Sequence, residues 1–185
     1  MRPINLLAFT LIAALLTSCC GDLPPAPDPG QVITEPAAEQ GIPKLGLFAL
    51  KASNGMYVSC TMTPDSSGKI ILRADRPTVG PNEVFTAGYD DAGRLGIQAP
   101  NGKYVAADRE MGGVLTADRE YVGEWESFEV VTQENGLFAL KNSNGKFVGA
   151  HHEWTDAKAS MLIADRDAAN DWERFAIVKD PSIGQ

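Results

Sequence analysis

An all-β domain assembled from three copies of one unit is the fold class this sequence predicts, and three observations predict it. Asn54-Gly55, Asn101-Gly102 and Asn144-Gly145 are each followed by the same tripeptide, at Ala74-Asp75-Arg76, Ala117-Asp118-Arg119 and Ala164-Asp165-Arg166. Phe85, Phe128 and Phe175 then come 11 residues after each alanine, and equivalent positions recur at intervals of 43 or 47 residues between Gly46 and Lys179. No stretch of the mature chain sustains a helical period. A unit of roughly 45 residues cannot bury its own apolar face, so copies of it close on one another around a shared core.

The elements follow in order. Residues 1–18 have the make-up of a signal peptide, with Arg2 as a short positive start and Leu6 to Leu16 as an apolar run too short to span a membrane permanently. Leu16-Thr17-Ser18-Cys19 resembles the bacterial lipobox, which makes Cys19 the expected lipidation site. Lipid on Cys19 would hold the protein on a membrane without spanning it, since more than one acyl chain grips a bilayer far better than one. Cys20 is not the Asp associated with inner-membrane retention, so the expected location is the bacterial cell envelope, at an outer membrane or cell surface. Residues 19–44 form a linker holding Pro24, Pro25, Pro27, Pro29, Pro36 and Pro43. Such a composition buries too little apolar surface to offset ordering entropy, and favours extended backbone.

Within each copy the pattern is β. Leu47 to Lys51 and Met56 to Ser59 flank Ser53-Asn54-Gly55; Leu137 to Lys141 and Lys146 to Val148 repeat the arrangement; Leu95 to Ile97 and Lys103 to Val105 supply the middle copy. Asn-Gly between such runs signals a hairpin, because both residues tolerate the positive φ of turns that match strand twist. A third strand, Ile70 to Leu72, Val114 to Thr116 or Met161 to Ile163, ends at Ala-Asp-Arg, and a fourth carries the phenylalanine. Four strands per copy give twelve.

These motifs, read as Leu-x-Ala-Leu-Lys-x-Ser-Asn-Gly-Lys-Tyr-Val, Leu-x-Ala-Asp-Arg and Trp-Glu-x-Phe, resemble the fascin-like, actin-crosslinking type of repeat. The resemblance implies a β-trefoil of three pseudo-symmetric four-stranded repeats over residues 45–180, six strands closing a barrel and six capping one end, with 181–185 as a tail. The first copy departs from the pattern, having Asn82 where the others have Trp125 and Trp172. Binding or cross-linking of actin filaments is what the family implies for function, and two features oppose it. One trefoil offers one site where bundling needs two. Removing Arg2 with the signal leaves 15 basic against 24 acidic side chains, a formal −9 that repels acidic partners such as actin or nucleic acid.

Residues present in all copies are placed by packing. Asp75, Asp118 and Asp165 are expected to accept backbone N–H groups in turns, with Arg76, Arg119 and Arg166 pairing to Glu83, Glu126 and Glu173. Phe85, Phe128 and Phe175, with Tyr57, Tyr104 and Phe147, are expected in the core. Cys60 aligns with Ala107 and Ala150 and reads as a small core residue, although pairing with Cys20 stays open. Function is expected where copies differ. Asn and the Ala of Ala-Asp-Arg are 20 residues apart in copies one and three but 16 apart in copy two. The third copy's insertion holds the candidate ligand-binding residues His151, His152, Trp154 and Asp156. An exposed indole stacks on a sugar while carboxylate and imidazole groups bond hydroxyls; alternatively Trp154 folds back over the barrel rim. Adjacent histidines on extended backbone point to opposite faces, so no metal site is expected, and no cofactor. Neither a nucleophile motif nor a phosphate-binding glycine pattern is present, and no enzyme is expected. The function so predicted is that of a monomeric, envelope-anchored module binding a glycan or an extracytoplasmic protein. A protease inhibitor with Thr61 to Lys69 as reactive loop is a further alternative.

Overall fold

The computed structural model describes residues 44–90, 93–156 and 158–179. The expected signal peptide, Cys19, Cys20, the linker up to Pro43 and the tail lie outside the described residues. The chain divides between Ala38 and Glu39, and every element described belongs to the unit Glu39–Gln185.

Twelve strands form, four per copy: β1 (Lys44–Ala52), β2 (Tyr57–Cys60), β3 (Leu72–Arg76) and β4 (Phe85–Tyr89), then β5 (Leu95–Gln98), β6 (Tyr104–Asp108), β7 (Val114–Arg119) and β8 (Phe128–Thr132), then β9 (Phe138–Asn142), β10 (Phe147–Ala150), β11 (Leu162–Arg166) and β12 (Phe175–Lys179). The first and fourth strands of the copies close a ring. Its six antiparallel seams are β1–β4 at Phe48 and Phe85, β4–β5 at Ala87 and Ile97, β5–β8 at Leu95 and Phe128, β8–β9 at Val130 and Leu140, β9–β12 at Phe138 and Phe175, and β12–β1 at Ile177 and Leu50. The six barrel strands and the core they enclose all lie within the unit Glu39–Gln185.

The second and third strands form hairpins that cap one end of this ring, and the cap shows the threefold relation atom by atom. Ala74 N–H donates to Ser160 C=O, Ala117 N–H to Ile70 C=O and Ala164 N–H to Gly113 C=O, each at 2.8 Å. Each acceptor precedes its own copy's alanine by the same number of residues, so the bonds run cyclically through the copies. Around that axis Ile71, Val114, Met161 and Ile163 form a small buried cluster of their own. Below it lies the main core, with Phe85 and Phe175 fully buried and Phe128 nearly so, together with Val58, Val105, Val148, Cys60, Ala107 and Ala150.

Three expectations are corrected. The hairpin loops place only the glycine at positive φ, 78° at Gly55, 80° at Gly102 and 77° at Gly145. Gly55 N–H donates to Ala52 C=O, and Ala52 N–H to Met56 C=O, so the loop is a three-residue turn ending in a glycine bulge. The asparagine side chain serves elsewhere: Asn54 Nδ2 donates to Ala74 C=O at 3.1 Å and Asn101 Nδ2 to Ala117 C=O at 2.9 Å, tying turn to third strand. Second, Tyr57, Tyr104 and Phe147 are half-buried on the outer face, because strand alternation gives the inner face to Val58, Val105 and Val148; Lys51 and Lys141 lie over Tyr57 and Phe147. Third, the repeated aspartates take side-chain donors. Ser59 Oγ donates to Asp75 at 2.8 Å, Lys69 Nζ to Asp118 at 2.6 Å, and His151 Nε2 meets Asp165 at 3.2 Å.

The repeated glutamates are buried and accept the backbone N–H of Gly80, Gly123 and Asn170 at 2.7–2.8 Å. Arg119 and Arg166 stand 3.6 and 3.7 Å from Glu126 and Glu173, as expected, and lie over Trp125 and Trp172. In the first copy Asn82 stands in the indole's place, and Arg76 pairs with Asp75 at 3.5 Å rather than with the expected Glu83. Its equivalents also meet their own aspartates, at 3.3 Å, but its side chain is 53% exposed against their 35% and 38%.

Candidate functional site at the third-copy rim

β10 ends at Ala150, and the chain then makes an excursion closed at its base by backbone bonds. His151 N–H donates to Met161 C=O at 3.0 Å and Ser160 N–H to His151 C=O at 2.9 Å. Ser160 sits at φ 60°, which turns the strand back toward the cap. Inside the loop Asp156 Oδ1 accepts Lys158 N–H at 2.9 Å, an Asx turn.

His151 is fully buried, which removes it from direct ligand contact. Its Nε2–H donates to Asp165 at 3.2 Å, and Arg166 Nη2–H donates to its Nδ1 at 3.4 Å, so one neutral tautomer satisfies both partners. The ring lies tilted against Trp154, centroids 4.3 Å apart, and stands 6.2 Å from Trp172. His152 turns the other way. Its Nδ1–H donates to Ala150 C=O at 2.9 Å and its ring meets the edge of Trp172 at 5.0 Å. The two imidazoles thus part company, and no cluster of histidine, cysteine, aspartate or glutamate able to hold a metal is found among the described residues.

Trp154 is half-buried. One side of it packs against the axial cluster of Ile71, Val114, Met161 and Ile163, and Lys158 Nζ lies 5.5 Å from the ring centroid. Glu153, Trp154, Thr155, Asp156 and Lys158 line an open depression of about 450 Å³. A second, of about 240 Å³, is lined by Arg166, Asn170, Asp171, Trp172 and Glu173. Between them runs one aromatic series, His152–Trp172–His151–Trp154. Of the four residues expected to bind ligand, Trp154 and Asp156 border the first depression, His152 borders neither directly but buttresses Trp172, and His151 lies beneath. Sequence reasoning missed Trp172 because its match with Trp125 marked it as packing.

The equivalent places in the other copies hold different side chains. Asp108 stands where His151 does, fully buried, with Lys69 at 3.5 Å and Arg119 at 3.6 Å. Arg109 and Arg119 both lie over Trp125, at 5.7 and 5.3 Å from the ring centroid. In the first copy Thr61 and Asn82 replace imidazole and indole, and Asp65 folds the loop through Ser67 and Lys69 N–H groups. The Ser67 hydroxyl bond holds the Asp65 carboxyl below the usual carboxylate range.

Solved structures share this architecture at low identity. ThreeFoil, a designed threefold symmetric protein, superposes with a TM-score of 0.57 at 17% identity, over 72% of this chain and 99% of its own. The Rhizoctonia solani agglutinin gives 0.58 at 15%, over 75% and 97%. The Polyporus squamosus lectin gives 0.54 at 12%, over 72% of this chain and 49% of the lectin, so the chain spans about half that protein's length. These likenesses establish the fold, a β-trefoil. No curated protein matches the chain by sequence. A family model does: the FRG1-like domain aligns with residues 73–177, more than half of the chain, and the chain therefore belongs to the FRG1-like domain family.

Proposed function

We propose that this domain is a non-catalytic glycan-binding module, carried on the bacterial envelope by lipid at Cys19, and that it reads its ligand at the third-copy rim. The observation that carries the reading is the pairing of two half-buried indoles, Trp154 and Trp172, with acidic and basic side chains bordering two depressions, where the second copy has one indole, Trp125, and the first has none. Indole faces stack on the C–H face of a sugar, while Asp156, Asp171 and Lys158 offer acceptors and donors to hydroxyls. Lectins of the same fold support it by analogy; one was solved with a sialylated trisaccharide epitope bound. Binding is preferred to catalysis because His151, the imidazole that meets Asp165, is fully buried against Trp154 and out of a substrate's reach, although Asp165 itself is exposed.

A glycan array probed with the chain and with Asp156→Ala, Trp172→Ala and Trp125→Ala tests this. Trp172 and Trp125 occupy equivalent places, so their substitution costs the scaffold comparably. Hits that survive Trp125→Ala and vanish in the other two support the reading. A blank array, or equal loss with Trp125→Ala, overturns it.

A further inference from the structure

The hairpins cap one end of the barrel, and the other end is open. There β4 turns into β5, β8 turns into β9, β1 begins and β12 stops. The opening leads into a cavity of about 710 Å³, lined from all six barrel strands. Leu50, Ile97 and Leu140, equivalent residues of the three copies, are nearly fully buried and form its floor; Phe48, Leu95 and Phe138 form the next layer. Ala87, Val130 and Ile177 stand above them, and Val130 and Ile177 are each 42% exposed. Leu47 and Tyr89, also exposed, complete the rim, so most of the large exposed apolar side chains sit at this one place rather than scattered over the surface. Among the described residues of the lining, Lys179 is the charged one.

We propose that this mouth is a binding site for a single-chain amphiphile with an anionic head, a long-chain fatty acid. The cavity has the size and apolar lining of small-molecule sites. A second copy would bring an equally concave mouth and leave the space unfilled. The chain's own ends are poor competitors for it: residues 180–185 hold one large apolar side chain, Ile183, and in the proline-rich segment before Lys44 the few that occur, Leu23, Val32, Ile33 and Ile42, stand among prolines, alanines and polar residues. A flexible hydrocarbon chain inserts end-on into such a space, and its carboxylate then meets the Lys179 ammonium at the rim, a local positive charge on a chain of net −8.

The test is calorimetric titration of the unit Glu39–Gln185 with saturated fatty acids from octanoate to tetradecanoate, below their critical micelle concentrations, and with the matching alcohols. Affinity should rise about fourfold per added methylene, the factor expected for hydrocarbon leaving water. Lys179→Ala should weaken the acids severalfold and leave the alcohols unchanged. Ala87→Trp should abolish both by filling the space, and Val130→Glu, at an exposed rim position, repeats that test where Ala87→Trp fails to fold. Absence of binding, affinity independent of chain length, or binding indifferent to both cavity variants overturns the proposal. So does a concentration-dependent dimer that Ile177→Glu dissociates, which would make the mouth an interface between copies. None of these outcomes bears on the glycan reading, which concerns the opposite end of the barrel.

Discussion

Cys60 fills the place that Ala107 and Ala150 fill in the other copies, and its burial has a measurable consequence at alkaline pH. Desolvation pushes the thiol up from 9.0 to about 11. A group whose folded pKa is raised loses its contribution as pH climbs: below 9 both states carry the proton, and between 9 and 11 the unfolded chain sheds it first. Stability should therefore fall by up to about 2 kcal/mol across that window. Cys60→Ala should flatten this part of the curve, measured by denaturant midpoints at about pH 8 and about pH 10.5. An unchanged slope would mean that the thiol is not desolvated. Lys69 does not confound the comparison at its lower edge, because its bond to Asp118 raises its pKa above the usual 10.5, so its contribution persists through most of the window and is shared by both proteins. The core role of Cys60 was legible from alignment of the copies alone. The outer placement of Tyr57, Tyr104 and Phe147 was not, since large aromatics recur on either face of a half-buried strand.

Among elements, the cap depends on close backbone approaches between hairpins. Gly113 has φ 91°, and a Cβ there would stand 2.6 Å from Ala164 C=O, the backbone of the neighbouring copy. Gly113→Ala should cost about 2 kcal/mol or more, combining left-handed strain with a clash against backbone that cannot rotate away. Ser160→Gly, at the equivalent position and also at positive φ, should be neutral or mildly stabilising. Thermal unfolding of both variants checks this, and equal loss in the two would contradict it. The loop after β10 shows where sequence reading stops. Its length and lack of a counterpart were plain, but the burial of His151 follows from the bonds that close the loop at Ser160 and Met161, which spacing does not reveal. Trp172 carried one usable signal, its absence from the first copy at Asn82, because a position that packing does not require in every copy is free to serve a ligand.

For the whole molecule, the scaffold was legible because threefold packing writes the same residues three times, and the FRG1-like match meets the fascin-type resemblance seen in those residues. What the scaffold carries is its departures from symmetry. Hairpin ends meet in a closed cycle at the axis, so variation is confined to loops around the rim, and only the third copy's loops place two indoles beside open polar depressions. Recognition by this domain requires that ligand be held there. The chain's 3 tryptophans make the question direct, since each indole N–H gives its own proton–nitrogen resonance. Titration with an array-selected glycan should shift the Trp154 and Trp172 signals and leave that of Trp125 in place. Movement of Trp125 instead, or of all three alike, would contradict recognition at the third-copy rim.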